Sequence, residues 1–292
     1  MVTRLLGQKL SELMKQPFVI DNRAGAGGQI AAQFVAKIAP DGYNLLIADV
    51  SAISIAPAAF TKLAYDPLRE LVPVSEVVRT DFILVVPGNS PAKTYAEFVK
   101  SAIANKDKVN FGTFGAGTPG HFGVEMLAEQ GHFKIEPVHF RATGDAITAL
   151  IAGDVHAALM STALASAQIK GGKMRALATT APTRSSMLPE VPTFKESGYP
   201  NADFTAWFCL FVPSGTPEPI IATLNTQVLA ALQDADLRRR LEEAGFSIIG
   251  TSPEAARRMI AAENVKWKKV VTATGFKGNG TYLSGSRLKS GN

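Results

Sequence analysis

Three short segments combine glycines with small polar residues immediately before a predicted helix. They are residues 24–28, 112–120 and 142–145. The start of a helix leaves main-chain N–H groups unpaired and carries a partial positive charge, and glycine lets an anion approach that main chain closely. The pattern therefore predicts anion binding by main-chain donors, although each segment could equally be an ordinary turn.

Each of these segments follows a predicted strand, at 18–20, 109–112 and 137–140. Ligands of open α/β sheets bind beyond the carboxyl ends of the strands, so we expect the three segments to line one cleft. Hydroxyl groups follow two further strands, Ser51 after 43–48, and Ser161 and Thr162 after 155–160. A hydroxyl at such a position either orients a carboxylate or caps a helix, and Arg141 is the basic residue best placed to join them.

A rival interpretation rests on residues 115–120, which match the G-x-G-x-x-G pattern of dinucleotide-binding loops. Glu136, the acid that would bind a ribose, precedes the next strand instead of ending it, which weakens an oxidoreductase hypothesis. His121 and Glu125 are four residues apart, but no third ligand accompanies them, so neither a metal nor a cofactor is expected. No motif for a catalytic nucleophile, acid or base is present, and we predict no enzymatic activity.

Composition narrows the possible partners of the chain. Its 292 residues are 46% hydrophobic and carry 30 Lys+Arg against 25 Asp+Glu, a net charge of +5. Three of the basic residues fall in the last sixteen positions, 277–292, which hold no acid, so the rest of the chain is almost neutral. A concentrated basic surface for nucleic acid is therefore not predicted. Cys209 is the single cysteine, so no intrachain disulfide can form. It is predicted to be a buried small hydrophobic residue.

Short apolar strands alternate with helices along the chain, which predicts a largely parallel α/β sheet. The expected elements include a helix at 3–15, a buried strand at 17–20 and a helix at 217–232 that Thr216 caps. Asp234 or Asp236, and Ser252, are predicted to start the last helices. The run at 238–240 is expected to be a solvated helix face.

Two proline- and glycine-rich turns indicate domain boundaries. The chain is predicted to leave the first domain at 87–91 and to have returned to it by 213–217. We therefore predict one lobe of residues 1–86 plus 206–276, a second lobe of residues 87–205, and a flexible tail or tag at 277–292.

Several motifs in consistent order over about residues 3–276 resemble one family. They are Asp-Asn-Arg-Ala-Gly-Ala-Gly-Gly at 21–28, Ala-Pro-Asp-Gly-Tyr at 39–43, Tyr-Asp-Pro at 65–67, Gly-Ala-Gly-Thr-Pro-Gly-His at 115–121, Arg-Ala-Leu-Ala-Thr-Thr at 175–180, Leu-Pro-Glu-Val-Pro-Thr at 188–193 and Ser-Gly-Thr-Pro at 214–217. The resemblance is to the Bug family, the extracytoplasmic solute-binding proteins of tripartite tricarboxylate transporters.

The resemblance implies a two-lobed periplasmic-binding-protein fold, type II-like, with a two-crossing hinge that closes as a Venus flytrap. It also implies a monomer in the periplasm that captures a small carboxylate and delivers it to membrane permease subunits. The cleft residues that it implies are Gly27, Gly28, Ser51, Gly117, Thr118, His121, Arg141, Thr143, Gly144, Asp145, Ser161 and Thr162. Two departures, Phe140-Arg141 in place of Tyr-Lys and Asp145 in place of a neutral residue, suggest a different ligand preference.

Family members carry an export signal, a first strand and a Gly-Gly loop ahead of the helix that corresponds to residues 3–15. These are missing before that helix here, so the expectation is an N-terminally truncated member whose signal peptide is removed or truncated. Besides the NAD(P)-binding oxidoreductase, the ligand-sensing domain of a regulator remains an alternative function.

Overall fold

The computed structural model describes residues 1–23, 25–105, 108–140, 143–202 and 204–278. The helices are α1 (Val2–Met14), α2 (Gln29–Ala36), α3 (Ala56–Ala59), α4 (Pro67–Glu70), α5 (Tyr95–Ala104), α6 (Pro119–Gly131), α7 (Thr143–Ala152), α8 (Thr162–Lys170), α9 (Glu218–Ala231), α10 (Ala235–Glu243) and α11 (Pro253–Thr274). The strands are β1 (Leu46–Asp49), β2 (Leu71–Pro87), β3 (Val109–Thr113), β4 (Ile135–His139), β5 (Ala157–Ser161), β6 (Met174–Thr179), β7 (Thr205–Pro213) and β8 (Ser247–Ile248). A 3-10 turn, Ala26–Gly28, precedes α2, and a π-helical turn, Ser51–Ile55, leads into α3.

Strand β2 belongs to two sheets and joins the two lobes. Its first part, from Leu71 to Asp81, pairs with β7, which in turn pairs with β1. Its second part, from Phe82 onward, pairs with β5 and β6, and β3 and β4 continue that sheet beyond β5. The run Ile83–Val86 is completely buried, as expected for a strand covered on both faces.

The direction of the strands places the candidate site. Strands β1 and β2 are both antiparallel to β7, so β1 points toward the second sheet, as β2 does. Strand β5 is antiparallel to β2 and parallel to β3, which is parallel to β4, so these three point back toward the first sheet. The carboxyl ends of β1 and of β3, β4 and β5 therefore face each other between the lobes.

The prediction of a largely parallel sheet is wrong, because the sheets are mixed. Among the described strands, only the pairs β3–β4 and β3–β5 are parallel. The remaining pairs involve β2 or β7, which carry the chain between the lobes in opposite directions and therefore lie antiparallel to each other. A periodicity of strand and helix does not reveal such crossing strands.

The predicted buried strand at 17–20 is also wrong. This segment is irregular, and the Val19 side chain is 88% exposed. A strand needs a partner for its main-chain groups, and none pairs with this segment in the described structure. It packs on α1 instead, where the Phe18 N–H donates to the Ser11 hydroxyl at 2.9 Å and Ile20 lies against Gly7.

Two of the three predicted helix caps are confirmed. Asp234 and Ser252 cap α10 and α11, as predicted, by accepting the N–H of Leu237 and Ala255 at 2.9 and 3.2 Å. Thr216 does not cap α9, because its hydroxyl donates to the Pro213 carbonyl oxygen at 2.8 Å within the preceding turn. The arginines of α10 lie on an exposed face as predicted, and Arg239 pairs with Asp236 and Glu243 on its own helix.

Helix α11 packs against the crossing strand β7 where the two lobes meet. The indole N–H groups of Trp207 on β7 and Trp267 on α11 both donate to Glu263 Oε2, at 3.1 and 2.9 Å. Both indoles are completely buried. One carboxylate oxygen therefore links the crossing strand β7 to α11.

The chain after α11 still contacts both lobes. The Phe276 ring packs edge-on against Phe60 of the first lobe and against His121 and Phe122 of the second. The Gly278 N–H donates to the Ala59 carbonyl oxygen at 2.7 Å. The first two residues of the predicted tail are thus attached to the fold, and residues 279–292 lie outside the described residues.

Asp81 lies where β2 passes from one sheet to the other, and its burial predicts how the stability of the protein depends on pH. Burial raises the pKa of Asp81 to about 6, although the nearby Arg79 guanidinium opposes this. A carboxyl group whose pKa is raised by folding stabilises the fold while it is protonated, and that stability is lost as the pH rises from about 4 through 6. We expect Asp81→Asn to be about 1–2 kcal/mol more stable than the wild type at pH 7.5.

Urea denaturation of both proteins at pH 7.5 and 4.5 measures this effect, and the difference should shrink at the lower pH. The control is the substitution Asp154→Asn at an exposed position, which should change the stability at pH 7.5 by less than about 0.5 kcal/mol. An Asp81→Asn protein no more stable than the wild type at pH 7.5 would contradict the assignment of Asp81 as an unfavourably buried charge.

Candidate functional site

The glycine turn before α2 forms part of the wall that the first lobe contributes to the cleft. Gly28 has a φ of +86°, a left-handed conformation that glycine adopts without steric cost. A Cβ atom built at Gly28 would lie 3.4 Å from the Ala52 Cβ, and one built at Gly27 would lie 3.9 Å from the Ser51 Cβ. The structure therefore brings Gly27 and Gly28 together with Ser51, at the carboxyl end of β1.

Ser51 is buried, and its polar groups are bound to Asp49. The Asp49 Oδ1 accepts the N–H of Ser51 at 3.0 Å and that of Ala52 at 3.4 Å, while Oδ2 accepts the Ser51 hydroxyl at 3.3 Å. Burial raises the pKa of Asp49 to about 6, and these hydrogen bonds only partly oppose that rise. Asp49 is not among the predicted cleft residues, although it is an acid that directly follows a predicted strand.

The facing wall begins at the loop between β3 and α6. Thr118 caps α6, since its hydroxyl oxygen accepts the His121 N–H at 3.4 Å, and the same hydroxyl donates to the Gly115 carbonyl oxygen at 2.8 Å. The Gly117 N–H donates to His121 Nδ1 at 3.1 Å. The side chains of Thr118 and His121 thus hold the loop in shape, and the Gly117 N–H that was predicted to meet a ligand is occupied by His121.

His121 is neutral in this environment. Burial lowers its pKa to about 4, with a further contribution from His139, whose ring centroid is 4.7 Å away. Because Nδ1 accepts from Gly117, the ring proton is assigned to Nε2, which lies 3.9 Å from Glu125 Oε1. His121 can therefore donate a hydrogen bond but contributes no positive charge.

The remaining predicted residues that the structure describes lie at the end of β5 and at the starts of α7 and α8. Ser161 ends β5, is half-buried, and has no side-chain hydrogen bond in the described structure. The Thr162 hydroxyl donates to the Asp81 carbonyl oxygen at 3.2 Å, which ties α8 to β2. Gly144 and Asp145 are exposed in the first turn of α7. Arg141 and the side chain of Thr143 lie outside the described residues.

The two walls are separated along β2. Asp49 pairs with Phe208, which pairs with Val78 of β2, whereas Ser161 pairs with Phe82. Four residues of strand correspond to about 13 Å. The structure therefore sets the Gly27, Gly28 and Ser51 wall opposite the wall made by the starts of α6 and α8.

Other parts of the described molecule offer weaker sites. In residues 1–278, apart from the undescribed positions, no group of three or more His, Cys, Asp or Glu could hold a metal ion. Glu136, the acid of the dinucleotide hypothesis, pairs at 2.7 Å with Lys108 at the opposite end of the β3–β4 pair from the glycine loop. No described helix is both long and apolar enough to cross a membrane.

A groove of about 660 Å³ lies on the first lobe, lined by Tyr65 among others. Two basic residues border it, but each is already paired, Lys37 with Glu70 and Arg69 with Asp66. These cations are therefore poorly available to an anion.

Residues 2–276 match the family model described as the tripartite tricarboxylate transporter family receptor. This chain belongs to that family. Among its relatives, BugT of Bordetella pertussis is 31% identical over 277 residues, which are 94% of this receptor and 85% of BugT. The match confirms the family predicted from the motifs.

Two solved structures are similar to this receptor along most of its length. Rpa4515 of R. palustris, solved with adipate, is 30% identical with a TM-score of 0.88, over 95% of this receptor and 93% of that chain. MatC (Rpa3494) from Rhodopseudomonas palustris, solved with bound malate, is 33% identical with a TM-score of 0.83, over 92% and 93% of the two chains. The predicted two-lobed periplasmic-binding fold is confirmed.

Proposed function

We propose that this receptor captures a small carboxylate between its lobes and delivers it to the membrane permease of a tripartite transporter. The observation that carries the proposal is that strands of both sheets end facing each other, each followed by a helix start. Main-chain N–H groups at helix starts attract anions. None of the predicted cleft residues that the structure describes is a lysine or arginine, so these donors would hold the ligand.

The ligands of two relatives support this chemistry. Adipate and malate, present in the Rpa4515 and MatC structures, are both small carboxylates. We also propose that the receptor acts in the periplasm as a monomer without catalytic activity. Its proposed lobes are residues 1–86 with 206–276, and residues 87–205.

A thermal-shift panel followed by calorimetry tests the proposed function. The panel contains mono-, di- and tricarboxylates together with NAD, which probes the oxidoreductase alternative. At a concentration of 100 times Kd, a ligand stabilises the fold by about 2.7 kcal/mol, so we expect a clear rise in Tm with at least one carboxylate and none with NAD. A cooperatively folded protein that binds no carboxylate in the panel would overturn the proposal.

Thr118→Val gives a prediction about the loop at the start of α6. The variant loses the helix cap and the hydrogen bond to Gly115, so we expect it to lose about 1 kcal/mol of stability and to bind carboxylate several-fold more weakly. Thr94→Val is the matched control, because Thr94 caps α5 through the Glu97 N–H at 3.2 Å and lies outside the proposed cleft.

Chemical denaturation and calorimetry of both variants distinguish capping from ligand binding. Both should lose similar stability, and only Thr118→Val should lose affinity. Equal affinities in the two variants would remove this loop from the binding site.

A further inference from the structure

Asp49 is the acidic group placed at the cleft end of β1. It pairs with Phe208 in the sheet, and the turn that follows it packs against the glycine turn of the same wall. Its carboxylate is half-buried and receives the N–H groups of Ser51 and Ala52 and the hydroxyl of Ser51. These three donors are therefore taken by the protein itself.

The charge of Asp49 is not matched by any cation among the described residues of the receptor. No ion pair of Asp49 exists in the described structure, and burial, not a neighbouring charge, dominates its titration. Tyr65 is the titratable group beside it, and the Tyr65 hydroxyl donates to the Ala52 carbonyl oxygen at 2.6 Å. An ionised carboxylate accepts about four hydrogen bonds, so Asp49 retains capacity for one more donor.

The facing wall of the cleft, at the starts of α6 and α8, offers hydrogen-bond donors instead of a negative charge. Ser161 presents a hydroxyl that no described group binds, and the helix starts there carry partial positive charge. A ligand that spans the cleft would thus meet donors at one end and an unpaired acceptor at the other.

We propose that Asp49 determines ligand specificity by selecting carboxylates that carry a hydrogen-bond donor, a hydroxyl or an ammonium group, at the end away from the bound carboxylate. Dicarboxylates are disfavoured for two reasons. Their second carboxylate would place a second negative charge beside Asp49, and it has no proton to donate to the Asp49 oxygens. This inference rests on the proposed function, and it deepens that function by naming a ligand class.

The test compares ligands of equal length by isothermal titration at pH 7.5. The probe pairs are 4-hydroxybutyrate with succinate, and 6-hydroxyhexanoate with adipate. For at least one length we expect the wild type to bind the hydroxy acid at least about tenfold more tightly than the dicarboxylate, because like charges repel at close range. Equal or tighter binding of the dicarboxylate at every length that binds would overturn the inference.

Asp49→Asn removes the charge and keeps an oxygen that can accept the N–H groups of Ser51 and Ala52, since asparagine caps as well as aspartate. We expect the preference for the hydroxy acid to fall by about tenfold in this variant. The control is Asp66→Asn, because Asp66 accepts the N–H groups of Leu68 and Arg69 in the same way at the start of α4. The control should keep the wild-type preference.

The outcomes separate the two proposals. A preference that is unchanged in Asp49→Asn overturns the role of Asp49 and leaves the carboxylate receptor intact. If no carboxylate binds the folded wild type, the proposed function fails and the inference fails with it. Should Asp49→Asn not fold, the wild-type preference alone still decides, because its absence contradicts the inference.

Discussion

Replacing Glu263 with alanine is expected to lower the free energy of unfolding by about 2–5 kcal/mol, the largest loss among the substitutions considered. The Oε2 atom of Glu263 accepts the indole N–H groups of both Trp207 and Trp267. The two indoles are buried, so removing the acceptor leaves two donors without a partner, each at a cost of about 1–3 kcal/mol. Urea denaturation followed by circular dichroism measures the loss.

Glu263→Gln is the matched variant, because its amide oxygen can take the place of Oε2 for both indoles. We expect it to lose less than half as much stability as Glu263→Ala. The two tryptophans are the only ones in the chain, so their emission reports on this junction and should shift to the red in the alanine variant. Two variants of equal stability, both close to the wild type, would contradict a stabilising role for this carboxylate.

Replacing Gly28 with valine is expected to weaken carboxylate binding by about 100-fold or more while the protein remains folded. The Cβ would lie 3.4 Å from the Ala52 Cβ, and the branches of valine would extend further into that contact. The left-handed φ of +86° is also strained by about 1–2 kcal/mol for a residue other than glycine. The turn must therefore shift, and the wall of the cleft that it forms with Ser51 shifts with it.

Gly153→Val separates backbone strain from the loss of the site. Gly153 has nearly the same φ, +85°, with open space around it, and it follows the carboxyl end of α7, away from the cleft. Both variants should lose similar stability in a melt, and calorimetry should show wild-type affinity for Gly153→Val alone. Wild-type affinity in Gly28→Val would exclude the glycine turn from the site.

The sequence predicted the parts of the fold that depend on local signals. Helix α1, the caps of α10 and α11, and the buried position of Cys209 follow from apolar spacing and capping residues. The first half of β2 was not predicted, because Pro73 and Glu76 interrupt its apolar pattern. Glu76 is nevertheless buried, because Arg79, three residues further along the same strand, pairs with it. Such compensation of a buried charge is not visible in a sequence.

In the candidate site, too, the sequence predicted positions but did not predict hydrogen-bond partners. Residue type and position predicted where Ser51, Thr118 and Thr162 lie relative to the strands, but not which partner each hydroxyl takes. Thr118 binds its own loop and Thr162 binds β2, because main-chain groups left over at a helix start or a strand crossing compete for nearby hydroxyls. Long-range strand pairing decides the contact of Thr162, whereas Thr118 selects one of several acceptors within its own loop, and the sequence spacing leaves both choices open.

A crystal structure of the receptor with its tightest-binding carboxylate tests the central claim most directly. We predict that the carboxylate lies between the lobes, with its oxygens about 3 Å from main-chain N–H groups of the starts of α6 and α8. A ligand bound instead in the groove beside Lys37, Tyr65 and Arg69, with the cleft between the lobes empty, would contradict the account.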